Sequence, residues 1–180
     1  MLSTAAGRMC RLAVISSALI WNPASAAAPD VKIAPVAAMY RDFAWKALSS
    51  DTEVFGRSLA GQSARTLSKY FAPRLAKLIA DDAACQRRTR ELCNLDFDIL
   101  FDSQDPQVVD LSIAEGPSNT VEVRFKDPVS SKETLIRYTV LRHAAAWRIN
   151  DVVYMTDGQR KLRALLSVDP ARNAGAHRGK

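Results

Sequence analysis

Four carboxylates crowd one short stretch of the chain: Asp96, Asp98, Asp102 and Asp105. Carboxylates at close spacing can do general acid–base chemistry when one titrates high, and carboxylates in a loop can hold calcium. The calcium reading fails on spacing, because Leu100 and Phe101 stand where a ligand and a glycine are required. The catalytic reading needs a reason for one pKa to be raised, and the neighbouring residues supply none. Their plain reading is a solvated strand face that pairs with Arg87, Arg88 or Arg90; the competing one is a partner-binding surface. His143 is the only histidine before the C-terminal tail. Set beside Tyr138 or Tyr40 it would be a general base with a hydroxyl donor, but its place at the end of a hairpin favours simple exposure. Asp151 falls on the alternating side that faces inward. Either the strand bends at Asn150 and Asp151, which is the favoured reading, or Asp151 stands at the mouth of a pocket. Tyr40, Phe43, Tyr70, Phe71, Tyr138 and Trp147 either line a cavity or fill a core, and aromatic residues at such spacings are usually core. No Gly-rich phosphate loop, GxSxG, HExxH or CxxC motif occurs.

Two long strands must position most of these groups. In residues 131–154, Ile136, Tyr138 and Val140 alternate with Arg137, Thr139 and Leu141, and Trp147 and Ile149 alternate with Arg148 and Asn150. That period of two predicts an antiparallel pair joined near residues 143–146, with one apolar face in need of a cover. The cover comes from upstream. Pro35 fits the first turn of a helix carrying Val36, Met39, Tyr40, Phe43 and Ala47 at helical spacing. Residues 51–62 read as a loop. A second helical pattern runs through Leu67, Tyr70, Phe71, Leu75, Leu78 and Ile79; Pro73 either kinks it or divides it into two helices. Residues 95–102 alternate apolar and acidic side chains, which predicts a short edge strand or extended crossing. Val109, Leu111 and Ile113 form another strand, a turn at Gly116, Pro117, Ser118 and Asn119 follows, and Val121, Val123 and Phe125 form the next. A last short helix carries Leu162, Leu165 and Leu166. Helices first and an antiparallel meander after make the class α+β, with the helices on one face.

The first residues belong to a different economy. Arg8 and Arg11 precede the apolar run LAVISSALIW (12–21), and Pro23, Ala24, Ser25 and Ala26 supply the small residues of a cleavage site. This is the layout of a secretory signal, cleaved after Ala26 or alternatively after Ala28. The run is too short to span a bilayer, which needs about 20 residues. The expected organisation is a signal peptide over 1–26, a flexible mature N-terminus over 27–34, one domain over 35–168 and a disordered basic tail over 169–180. The product is expected in the periplasm or secreted, with no stable membrane association. Cys85 and Cys93 are then the only cysteines left, and in an oxidising compartment they read as a disulfide. A loop of that size should stabilise the fold by about 2–3 kcal/mol. No further Cys or His stands near them to complete a metal site. The formal charge of +6 falls to +4 without Arg8 and Arg11, and to +1 without Arg172, Arg178 and Lys180 of the tail. A nearly neutral body argues against nucleic acid as a partner.

Three further features occur together: Met39-Tyr40 in the first helix, Leu95-Asp96-Phe97-Asp98 with Gln104-Asp105 after it, and Trp147-Arg148-Ile149-Asn150-Asp151-Val152 at the end of a strand. With them the chain resembles an uncharacterised family of small exported bacterial proteins with the nuclear transport factor 2-like, or cystatin-like, cone fold. The resemblance covers most of residues 35–167, although family members usually carry Pro at the position of Ile99. It implies a strongly curved antiparallel sheet with the N-terminal helices on its concave face. It implies no particular function, since that fold hosts enzymes, carriers and interaction modules. The expectation is a non-catalytic binding module that presents Tyr40, Asp96, Asp98, Asp102 and Tyr138 to an envelope protein or small ligand, with no cofactor and no metal. Two alternatives stand beside it. One is an isomerase or dehydratase with Asp98 or Asp151 as base, which requires a carboxylate and a phenol to converge in a pocket. The other is a carrier of a small apolar ligand, which requires an empty apolar cavity.

Overall fold

The computed structural model describes residues 31–48, 56–156 and 158–168. The expected signal peptide and the mature N-terminus through residue 30, residues 49–55 and 157, and the expected tail from residue 169 lie outside the described residues.

Helix α1 (Ala34–Phe43) starts where its proline allows, with Pro35 in the first turn, where a missing N–H breaks no helical bond. Pro35, Val36, Met39, Tyr40 and Phe43 make its buried stripe, and a 3-10 turn over Ala44–Ala47 continues it. Upstream of the helix, Lys32 Nζ donates to the carbonyls of Gly116 and Ser118 at 2.9 and 3.0 Å. The stretch expected as a loop contains a 3-10 turn, Leu59–Gly61, that buries Leu59. Helix α2 (Ala64–Leu67) is capped by Ser63, whose Oγ accepts from the Thr66 N–H. Pro73 divides the second helical pattern rather than kinking it: α3 (Pro73–Thr89) begins with Pro73 in its first turn. Between the two helices, residues 70–72 lie along a strand as a parallel bridge between Phe71 and Ile149. The Ile149 N–H donates to the Tyr70 carbonyl and the Ala72 N–H to the Ile149 carbonyl, each at 2.8 Å. Arg90 takes a left-handed conformation (φ 59°) and ends α3. The Cys85–Cys93 disulfide, Cα atoms 6.3 Å apart, ties the returning chain to the helix.

The sheet is β1 (Val109–Glu115), β2 (Thr120–Lys126), β3 (Glu133–His143), β4 (Ala146–Tyr154) and β5 (Arg160–Lys161), followed by α4 (Leu162–Leu166). Neighbours in sequence are neighbours in space, all antiparallel, and the sheet stays open. The fold is α+β, with a five-stranded sheet and few helices. Val121, Tyr138 and Val152 stand opposite one another across three strands, as do Val123, Ile136 and Tyr154, and all six are buried. In β4 Thr139 faces Asp151 while Val140 faces Ile149, so Asn150 is an extra residue. This bulge is the bend expected at Asn150 and Asp151. It moves the inward set from Trp147 and Ile149 to Val152 and Tyr154.

One expected element differs. No strand forms over residues 95–102, and residues 98–103 make a turn: the Asp98 carbonyl accepts the N–H groups of Phe101 (3.2 Å) and Asp102 (2.9 Å), and Asp98 bridges back to Ser103. Asp102 sits at φ 54°. The alternation of Leu95, Phe97, Ile99 and Phe101 therefore comes from a tight fold-back, and Leu100 is buried with them.

Candidate functional site

The acidic stretch does not form a single solvated face. Asp96 and Asp105 are exposed, but Asp98 and Asp102 turn inward. Asp98 Oδ1 accepts the Leu100 N–H at 2.8 Å, and burial raises its pKa from the usual carboxylate value, against the pull of that hydrogen bond and of Lys46. Asp102 takes the Thr156 hydroxyl at 2.7 Å and an ion pair from Arg160. Its side chain is 6% exposed against 38% for Arg160. None of the four acids pairs with Arg87, Arg88 or Arg90 among the described residues, and Asp102 is engaged by Thr156 and Arg160 instead.

Helix α1 and strand β3 bring Tyr40 and Tyr138 together at the centre. Tyr40 Oη donates to the Leu100 carbonyl at 2.5 Å and lies 2.9 Å from Tyr138 Oη, so Tyr138 donates to Tyr40. Tyr154 Oη donates to the Ile99 carbonyl at 3.2 Å. Two phenols thus satisfy backbone carbonyls of the acidic turn, which no strand could reach. Burial, and after it the neighbouring phenol, raises the Tyr40 pKa; burial is also the first cause for Tyr138 and Tyr154, with the Asp98 charge adding to each. Rings close the surroundings: Phe101 lies edge-on to Tyr40, and Phe97 to Tyr154.

A carboxylate and phenols are therefore near one another, yet neither of two clefts among the described residues brings them together. Asp98 borders a surface cleft of about 230 Å³ with Lys46, Ser58, Leu95, Asp96 and Gln104. A larger cleft, about 410 Å³, lies between Arg57 and Arg87 with Asp82 in its wall. Neither cleft is lined by Tyr40, Tyr138 or Tyr154, which are at most 3% exposed. His143 is exposed and five residues from Tyr138, an odd spacing that puts the two side chains on opposite faces of β3. Asp151 is engaged elsewhere: its Oδ1 accepts the N–H groups of Val152 (2.9 Å) and Arg163 (3.0 Å), the latter in the first turn of α4. Among the described residues no group of three or more His, Cys, Asp or Glu is placed to hold a metal ion, and no helix is long and apolar enough to cross a membrane.

No protein-family model matches the chain, and no similar curated protein or solved structure was found. The reading of the site rests on its own geometry.

Two residues outside the sequence reading hold the acidic turn in place. Asp82, buried on α3, accepts the Asn94 N–H at 2.8 Å and Gln86 Nε2 at 2.9 Å, fixing the chain after the disulfide. Its signal was available, since Leu75, Ile79, Asp82 and Gln86 follow helical spacing and place a carboxylate on the inward stripe. Arg160 stacks over Phe97 (5.0 Å) and Tyr154 (5.8 Å) while pairing with Asp102. No periodic pattern surrounds Arg160, and nothing local announced it.

Proposed function

We propose that the protein is an exported, non-catalytic binding module with a nuclear transport factor 2-like cone, of the family its motifs resemble, acting in the periplasm or after secretion on an envelope protein. The observation that supports this reading is the burial of Tyr40, Tyr138 and Tyr154 within the core cluster. An isomerase or dehydratase of this fold needs a phenol and a carboxylate at one cavity, and here the Tyr40 and Tyr138 hydroxyls are spent on Leu100 and on each other. A carrier of an apolar ligand needs an empty interior, and the positions that would line it are occupied by Tyr40, Phe101, Tyr138 and Tyr154. The bridged cysteines support an oxidising compartment. With catalysis and storage disfavoured, the outer surface is what remains for function. The test is capture by the immobilised full chain from a cell-envelope extract. Saturable retention of one protein that free chain competes away is the expected result; no retained protein would sink the reading.

A further inference from the structure

The two surface clefts adjoin and form one groove. The larger, about 410 Å³, lies between residues 57–61 and the C-terminal half of α3. The smaller, about 230 Å³, continues past Leu92 and Leu95 to Asp96 and Asp98. Ser58, Ala60 and Gln86 line both. The chain itself fixes the walls. Gln62 Nε2 donates to the Arg57 carbonyl at 2.7 Å, and Gln86 Nε2 donates to Asp82 Oδ2 at 2.9 Å and to the Leu95 carbonyl at 3.0 Å. The disulfide ties Cys93 to α3, and Leu92 beside it is 70% exposed although apolar. A groove held in shape in this way has little left to order when a partner enters.

Chemistry changes along the groove. In the larger part Arg57 and Arg87 are exposed, and neither guanidinium has a hydrogen-bond or ion-pair partner among the described residues. The Asp82 carboxylate in the wall does not serve them, because its oxygens take the Asn94 N–H and the Gln86 amide. In the smaller part Leu92, Leu95 and Phe97 supply an apolar surface, with Asp96, Asp98 and Lys46 around it.

These features select the occupant. Guanidinium groups bind carboxylates bidentately, and an exposed leucine on a stapled loop is an anchor for an apolar side chain. A chain that carries both groups, and is slim enough to pass Ala60, Gly61 and Ala83, is a peptide. A lipid surface fits poorly, since the carboxylates of Asp96 and Asp98 stand where anionic headgroups would lie. We propose that the groove takes a peptide segment of the partner protein, with a carboxylate at Arg57 and Arg87 and an apolar side chain on Leu92. This rests on the binding-module reading and names the face and the partner chemistry.

The test selects binders to the immobilised full chain from random peptides displayed on phage. Enriched sequences should pair an acidic residue with a large apolar one; no enrichment, or enrichment without acids, would overturn the proposal. The leading peptide, labelled with a fluorophore, is then titrated by anisotropy at physiological salt. Its affinity should fall about tenfold or more in R87E and in L92D, and less than about twofold in R65E and V129D, which change equally exposed side chains outside the groove. Equal losses in all four would reduce the effect to charge and solubility. A gain of about tenfold in D51N/E53Q would show that those acids already serve the arginines, and would equally overturn it. So would binding of phosphatidylglycerol vesicles with the same sensitivity to R87E and L92D, which would move the groove to lipid. The two readings fail separately. Absence of any captured envelope protein removes the module, whereas an envelope protein captured equally by wild type and by R87E/L92D removes the groove.

Discussion

The Tyr138 hydroxyl donates a hydrogen bond to the Tyr40 oxygen, and the Tyr40 hydroxyl donates to the Leu100 carbonyl, so one relay of hydroxyls joins strand β3, helix α1 and the acidic turn. All three partners are buried. The relay holds the turn against the sheet, and its two members are not equivalent.

Removing the Tyr40 hydroxyl strands both the Leu100 carbonyl and the Tyr138 proton, whereas removing the Tyr138 hydroxyl costs one neutral hydrogen bond. Tyr40→Phe should destabilise the fold by about 2–3 kcal/mol and Tyr138→Phe by about 0.5–1.5 kcal/mol. Urea unfolding at neutral pH checks the order. Equal midpoints for the two variants would contradict the direction of the relay.

The buried phenols make a prediction at alkaline pH. Their pKa values are raised in the folded state, so the unfolded chain loses those protons first and stability falls as pH climbs above about 10. Each phenol contributes a slope of about 1.4 kcal/mol per pH unit once the unfolded form ionises. Tyr70 belongs with them, pushed up to about 12 by burial and by its bond to Asp42. Tyrosinate absorbance should therefore appear together with loss of the circular-dichroism signal, and phenols ionising in a folded protein would refute it.

Asp98 should behave in the opposite sense to a stabilising carboxylate. Its pKa is raised by burial, so its contribution is most favourable at low pH and is lost as pH rises through the folded value. Asn at this position keeps an acceptor for the Leu100 N–H without the charge. The stability of Asp98→Asn relative to wild type should increase from pH 4 to pH 7, measured by denaturant midpoints at both. A constant difference would mean that Asp98 is not desolvated.

The Asp102–Arg160 pair is asymmetric. Arg160→Ala leaves a nearly buried carboxylate with only Thr156, and Asp102→Ala leaves a partly exposed guanidinium that water can reach. The first should cost about 2–4 kcal/mol and the second about 1–2 kcal/mol, discounted from fully buried pairs for the exposure of Arg160. Thermal unfolding of the two variants decides the order.

Replacing Cys85 and Cys93 together with serine should lower stability by about 2–3 kcal/mol, and reductant should then have no further effect. An unchanged midpoint would mean that the native end of α3 is held by Asp82 and Gln86 alone.

Much of this architecture was written in short-range patterns. Period two located β1 to β4, helical spacing located α1 and α3, and the compartment argument paired Cys85 with Cys93. The acidic turn was misread because a fold-back stabilised by an Asx-type bond from Asp98 produces the same alternation as a strand. Leu100, an apolar residue among the acids, was the discordant signal. The relation of Tyr40 to Tyr138 joins positions 98 residues apart, and that of Asp102 to Arg160 joins positions 58 apart. Separations of that kind have no period to read.

The short parallel contact of Phe71 with Ile149 has a consequence for assembly. It covers the part of β4 that β5 leaves bare, so that margin of the sheet offers little backbone for a foreign strand to join. Among the described strands the long edge open to strand addition is β1, since β5 at the other edge has only two residues. There the irregular register between Val109 and Ser112, with Asp110 at φ 55°, interrupts the template a newcomer would need.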